Sequence, residues 1–378
     1  MTYLGGNVFA TIDRVKQAVL EQGKDLIDLS LGSADLPTDA SILSSIGEAL
    51  QDKTTHGYVL FSQTLSFRQT VARWFTERFG IDVDPDREVL PLIGSQEGTA
   101  HLPLALLNPG DYGLLQDPGY PSHYGGVYLA GGVPWGMPLH GDLGFLPDFQ
   151  AIPPLVLDRS RLMILSYPHN PTTAVGSLDF FREAVNFCQR HNLWLIHDFP
   201  YVDLVFDGYV APSMLEADRE KSVTIEFFTL SKSFNMGGFR VGFAVGNREL
   251  VGALRQIKSI VDFNQYQGIL RGAIKALQGD GRIVRQGVAE FQRRRDFMVE
   301  ALNSIGWSVP KPKATMYLWA KIHHPNSMEF CQKLIYDRGV ALSPGSGFGK
   351  EGEGFVRFAL VHPIPVLQEV IHRLEGFG

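Results

Sequence analysis

Residues 224–246 read TIEFFTLSKSFNMGGFRVGFAVG, and how this stretch folds decides the reading of the whole chain. An apolar run, IEFFTL, ends in hydroxyls and one lysine, Lys232; a second apolar run resumes after Gly237-Gly238. Runs that are apolar at nearly every position are how strands covered on both faces read. Lys232 then stands at the end of a buried strand, where desolvation favours the neutral, nucleophilic amine. Thr229, Ser231 and Ser233 flank it, and Arg240 follows. Hydroxyls and a guanidinium suit a phosphate, while a neutral lysine suits an electrophilic carbonyl. An isolated lysine would reach for solvent; this setting argues otherwise.

Outward from there, the same texture repeats. Strands are expected at 86–93, 111–117, 133–139, 162–167, 193–198, 224–230 and 239–246, with helices at 41–51, 66–79, 96–107, 178–191 and 248–261. In the helix 178–191, Leu178, Phe181, Ala184, Val185 and Cys188 recur at three- and four-residue steps, which makes one apolar face. Strand–helix alternation on this scale predicts an α/β fold with a mostly parallel sheet between helices. Near residue 265 the texture changes to a long basic helix, about 268–304, and then a smaller α+β unit with short strands around one helix over 307–360. The division expected is 1–40 as an N-terminal arm with part of the small domain, 41–267 as the large domain, and 268–378 as the small one. The Arg293-Arg294-Arg295 run is expected on a solvated helix face.

Composition excludes several classes. A chain of 378 residues, 44% hydrophobic and 20% charged, has the make-up of a globular protein with a substantial core. Its net charge of −6 argues against nucleic acid or an acidic membrane surface as partner. No apolar run reaches the length of a membrane span, and the first residues lack the apolar core of a signal peptide. Cys188 and Cys331, the only cysteines, are expected as buried thiols, which fits a reducing, cytoplasmic compartment. The 11 histidines lack ligand spacing, so no metal site is expected. GSGFGK (345–350) falls short of a phosphate loop: Pro344 stands where a glycine is needed and Glu351 where Ser or Thr is needed.

The segment around Lys232 resembles the Schiff-base motif of the class I/II aminotransferase family, fold-type I enzymes dependent on pyridoxal 5′-phosphate (PLP). The resemblance implies a seven-stranded large domain. It implies that Lys232 carries PLP, with Thr229, Ser231 and Arg240 on its phosphate. Other motifs follow in the family's order and span about residues 25–365. GSQEG (94–98) lies where a strand runs into a helix, a junction that binds anions, so Ser95 and Gln96 become phosphate contacts, although Ser95 alone reads equally as a helix cap. DPGYP (117–121) places Tyr120 against the pyridine ring, and HNPT (169–172) places Asn170 on the phenolic oxygen. The family's glycine after NPT is Thr173 here.

In HDFPY (197–201), Asp198 closes an apolar strand where an unpaired carboxylate would be costly. By resemblance it pairs with the pyridine nitrogen, and Tyr201 with O3′. Arg357, in FVRFAL, matches the arginine that grips the substrate α-carboxylate, and Gly32, in LGSADLP, the glycine turn beside it. GYVLFSQTLSFR (57–68) keeps Tyr58 and Arg68 of a segment whose tyrosine reaches the neighbouring subunit's cofactor, though it lacks the segment's usual glycine and has Phe67 for its leucine. A homodimer with shared sites is therefore implied. So are an amino acid and a 2-oxo acid as substrates, with glutamate/2-oxoglutarate as one pair and an aspartate- or LL-diaminopimelate-type partner. Relatives with the same lysine cleave C–S bonds, and a PLP-sensing regulator is a further alternative.

Overall fold

A computed structural model describes residues 8–377; residues 1–7, where part of the expected N-terminal arm falls, and 378 lie outside the described residues. The strands in chain order are β1 (Ile27–Asp28), β2 (Val89–Leu92), β3 (Tyr112–Asp117), β4 (Val133–Pro138), β5 (Ser160–Leu165) and β6 (Trp194–Asp198). They continue with β7 (Thr224–Thr229), β8 (Gly242–Gly246), β9 (Tyr317–Lys321), β10 (Val340–Ala341), β11 (Ser343–Pro344) and β12 (Phe355–Ala359).

Seven of these form one sheet in the order β2-β8-β7-β6-β5-β3-β4, parallel throughout except for β8, which runs against both neighbours. All seven overlap the strands expected from sequence; β2, β7 and β8 are buried along their whole length, while the edge strand β4 is exposed at both ends. Parallel strands bring their carboxyl ends to a single edge, which is where open α/β sheets build sites. The reversed β8 contributes its beginning there instead: Leu92 of β2 and Thr229 of β7 are both level with Gly242.

Helices cover both faces. On one side Ala40–Gln51, Leu65–Phe79 and Gln267–Leu277 close over an aromatic cluster in which Trp74 and Phe75 meet Phe228 and Phe243. The smaller body holds an antiparallel sheet, β11-β12-β9, and the parallel pair β1-β10. Against them pack Val8–Glu21, Arg282–Ser304, Ser327–Arg338 and Ile364–Leu374.

Two expectations are corrected. The long basic helix is two helices, Gln267–Leu277 and Arg282–Ser304, broken where Gly281 takes a left-handed φ of 75°. The first of them packs with the helices Ala40–Gln51 and Leu65–Phe79 through Leu270, Ala273 and Ala276. The three arginines do not share a solvated face either. Successive helical residues turn by about 100°, so three in a row point three ways. Only Arg293 is exposed. Arg294 is buried, with Asp35 gripped at 2.6 and 2.9 Å, and Arg295 is buried, with Asp207 at 2.7 and 3.1 Å. Cys188 and Cys331 are buried free thiols, and burial raises both well above the usual thiol value. No described helix is long and apolar enough to cross a membrane.

Candidate active site

At the carboxyl edge of the large sheet a cavity of about 570 Å³ opens toward the smaller body. Among its lining residues are Gly32, Ser95, Gln96, Tyr120, Asn170, Asp198, Tyr201, Thr229, Ser231, Lys232, Arg240 and Arg357, twelve of the thirteen positions singled out in the sequence. The thirteenth, Tyr58, is not in the cavity of its own chain: it is 89% exposed, and its ring meets Phe263 at 6.2 Å.

One end of the cavity is built for an anion. The helix Ser95–Leu106 starts at Gly94, whose φ of 73° lets the chain turn sharply out of β2, and no side chain caps it. Ser95 is therefore the first residue inside the helix, not its cap. Unsatisfied N–H groups and the positive end of the helix dipole face outward at this point. Arg240 lies across Gly94, where a β-carbon would collide with the guanidinium, and reaches the Ile93 carbonyl at 3.5 Å. Thr229 completes this end, its hydroxyl donating to Ser231 Oγ at 2.9 Å. The level register of β2, β7 and β8 is what assembles these four residues.

The floor is Asp198, the last residue of β6 and only 4% exposed. Its Oδ2 lies 3.1 Å from His123 Nε2, while Oδ1 is buried without a hydrogen-bond partner among the described residues. A buried carboxylate oxygen left in that state is costly unless something in the cavity donates to it. Lys232, in the turn after β7, donates from Nζ to the Gly32 carbonyl.

The wall opposite comes from the smaller body. Arg357, buried on β12, donates to Asn170 Oδ1 at 2.8 Å and to the Ser30 carbonyl at 2.8 Å, and its guanidinium lies over the rings of Tyr317 (4.1 Å) and Phe348 (4.7 Å). Its Nε is buried without a partner among the described residues. Tyr317 accepts a 3.0 Å hydrogen bond from Tyr201. Burial pushes the Tyr317 hydroxyl up, but the Arg357 and Lys232 cations and the Tyr201 bond outweigh it and hold the group below its usual value. Tyr201 moves the other way, raised by burial and by Tyr317. Gly32 is glycine for a steric reason: any β-carbon there would meet the Tyr317 hydroxyl.

Asn170 sits in the turn 167–173, where His169 bonds Thr172 Oγ1 at 2.7 Å and burial, with His123 near, drops the imidazole to about 3. Thr173, which replaces the family's glycine, nonetheless takes a left-handed φ of 64°. The turn keeps the glycine-like conformation at the expense of local strain.

Sequence reasoning missed three residues. His123 follows Tyr120 by three positions and was hidden in a Pro- and Gly-rich stretch that reads as turn but forms the helix Pro121–Leu129. Tyr317 and Phe348 carried no motif. Tyr317 emerges only from the strand register: Arg357 is opposite Trp319, so Tyr317, two residues away, lies diagonally across on the same sheet face.

Residues 24–374 match the profile of aminotransferases of class I and II. An LL-diaminopimelate aminotransferase of Dehalococcoides mccartyi is 44% identical over 357 residues, 94% of this chain and 92% of that protein. One of Moorella thermoacetica is 42% identical over 373 residues, covering 97% and 95%. Among solved structures, a probable N-succinyldiaminopimelate aminotransferase from Thermus thermophilus superposes with a TM-score of 0.94 at 44% identity, covering 98% of this chain and 100% of that one. Match, architecture and cavity agree: this chain belongs to the aminotransferases of class I and II, a transaminase of fold type I.

Proposed function

We propose that this transaminase works with PLP on Lys232, takes an amino group from a diaminodicarboxylic acid of the LL-diaminopimelate type, and passes it to 2-oxoglutarate. The observation that carries the reading is Asp198, a buried carboxylate with one oxygen unpartnered, on the floor of a cavity that holds a lysine and an anion cradle. A protonated pyridine nitrogen would satisfy Oδ1, and a phosphate would satisfy the 94–96 turn with Arg240, Thr229 and Ser231, so the donor set fits PLP end to end.

When bound, PLP supplies an electrophilic carbon for the lysine amine and a protonated ring that draws electrons from the substrate α-carbon. The residues do the rest. Asp198 would keep the ring nitrogen protonated, with His123 holding its other oxygen. Tyr201 and Asn170 would be the partners of the phenolic oxygen, and Tyr120 would offer its aromatic face to the ring. Arg357 grips the α-carboxylate through its planar fork, fixing which bond of the α-carbon faces Lys232. Lys232 Nζ is the base that takes the α-proton.

The names of the LL-diaminopimelate aminotransferases at 42–44% identity support the diaminodicarboxylate. Among the described residues, the Lys and Arg that line the cavity are Lys232, Arg240 and Arg357, each already given a task, which favours a cation for the distal carboxylate from beyond these residues. That supports a homodimer with shared sites. So does the exposed apolar face around Tyr58, where Leu60, Ile260, Val261 and Phe263 are also exposed.

The test is an amino-donor panel, including LL-diaminopimelate, its N-succinyl derivative, aspartate and glutamate, with 2-oxoglutarate present or absent. Glutamate should appear with LL-diaminopimelate only when the oxo acid is supplied. A thioether amino acid such as cystathionine is added to the panel; release of a thiol from it without any oxo acid would support C–S cleavage instead. Lys232→Ala should lose both turnover and the visible absorbance of lysine-bound cofactor; retention of both would sink the assignment.

A further inference from the structure

Directly behind the anion cradle lies a buried charge cluster that the chemistry above does not use. Glu97 and Lys258 each have side chains only 3% exposed. Lys258 Nζ, from the helix Arg248–Val261, lies 2.9 and 3.0 Å from the two oxygens of Glu97 and 3.1 Å from Asp262 Oδ1. Glu97, His101 and Asp262 bring their ligand atoms close enough together to suggest a metal site. The Lys258 ammonium, in contact with both carboxylates, already supplies the cation.

What this cluster holds is the turn itself. Glu97 stands third in the helix Ser95–Leu106, and its Oε2 reaches back to accept the Ile93 N–H at 2.5 Å. The Ile93 carbonyl receives Arg240 at 3.5 Å, and the Leu92 carbonyl receives Gln265 Nε2 at 3.0 Å. Residues 92–94, which aim the first N–H groups of the helix, are thus held from three directions. One of the three, Glu97, is in turn held by Lys258. Burial pushes the Glu97 carboxyl up to about 7 against the pull of Lys258, so an unpaired Glu97 would lose its charge and its charge-assisted bond to Ile93.

We infer that Glu97 and Lys258 are positioning residues for phosphate binding, a buried ion pair that fixes the 93–96 turn in its anion-accepting form. This rests on the PLP reading above. An ion pair of purely structural value would stabilise the fold without favouring one end of the cofactor. A positioning pair acts on the phosphate alone.

The discriminating probe is pyridoxal, which lacks the phosphate. Full-length protein freed of cofactor is titrated with PLP and with pyridoxal, and each Kd is read from protein fluorescence and from the visible absorbance of the bound form. Glu97→Gln, which keeps shape and an acceptor oxygen, and Lys258→Met should each weaken PLP about tenfold, the effect of losing one charge-assisted hydrogen bond. Pyridoxal should change by less than about twofold in both, outside the range of a lost hydrogen bond. The double variant should be no worse than the worse single, as expected of one unit. Lys258→Arg, which keeps the charge, should retain most of the preference for PLP. If Lys258→Met fails to fold, Glu97→Gln and Lys258→Arg decide between them. Equal losses for the two ligands, or no loss for PLP, overturn the inference. A wild-type protein that binds PLP no more tightly than pyridoxal overturns the cofactor assignment instead.

Discussion

His197 and Asp198 are neighbours on β6, both buried, yet they end in opposite circumstances. Successive strand residues point to opposite faces, so the two side chains leave the sheet in opposite directions. His197 meets Glu226, its register partner on β7, at 2.7 Å, and its Nε2 lies 3.1 Å from the Tyr167 carbonyl. Glu226 also accepts from the Met214 N–H at 2.7 Å and from the Ser213 hydroxyl, so both its oxygens are occupied. Asp198 has one oxygen on His123 and one with no partner among the described residues. Two buried carboxylates one strand apart therefore do different work. The satisfied one ties strands and loops together; the unsatisfied one is reserved for a ligand.

Substituting each carboxylate in turn tests this contrast. Asp198→Asn should lower kcat by about 10²- to 10³-fold, the scale of losing one preorganised electrostatic partner. Its thermal unfolding without cofactor should be unchanged or slightly later, because the change removes a buried charge with one oxygen unpartnered among the described residues. A variant that unfolded early and still turned over would reverse the two assignments. Glu226→Ala should do the opposite, losing about 3–5 kcal/mol in denaturant unfolding by orphaning His197. Folded molecules should keep their cofactor absorbance and most of their kcat. A smaller effect belongs to His123→Phe, which deprives Asp198 of its one hydrogen bond. A loss of roughly tenfold in kcat with KM little changed is expected, as for other residues that orient a functional group from behind.

The same contrast explains what could be read from the sequence. Asp198 was legible because a carboxylate at the end of an apolar strand is anomalous wherever the strand is placed. Lys232 stood out for the same reason, and Arg240, Thr229 and Ser231 came with it by proximity in the chain. Strands such as β7 and β8 were legible because double-sided burial leaves an apolar mark at nearly every position. Glu226 is just as anomalous within TIEFFT, but its partner His197 becomes visible only when the order of β6 and β7 is known. His123, Tyr317 and Lys258 are of that kind, ordinary residues until tertiary structure sets them against Asp198, Arg357 and Glu97. The Arg294 and Arg295 ion pairs were misread because a charge run carries no sign of the Asp35 and Asp207 carboxylates that bury it. The break at Gly281 was within reach, since glycines at residues 279 and 281 flank an aspartate, and the helical pattern on either side overrode it.

A third carboxylate gives the smallest and most graded test. Asp28, at the end of β1, accepts from Ser30 twice, the N–H at 2.8 Å and the hydroxyl at 2.6 Å, and pairs with Lys16 at 3.0 Å. Ser30 in turn offers its carbonyl to Arg357, so Asp28 supports the substrate wall from one residue further out. Burial pushes its carboxyl up, but the Ser30 bonds and Lys16 outweigh burial and leave it below its ordinary 3.8. A carboxyl lowered on folding stabilises the protein fully above its unfolded value, and the contribution fades as pH falls through the folded one. Asp28→Asn should therefore cost about 1 kcal/mol at neutral pH, the worth of an ordinary hydrogen bond. The gap from wild type, followed by urea unfolding across pH, should close in acid. KM for the amino donor should rise modestly, since Arg357 loses part of its backing, while the visible absorbance of the bound cofactor stays as it was. A gap that persisted undiminished in acid would mean that Asp28 acts through shape alone, and that Ser30 does not depend on its charge.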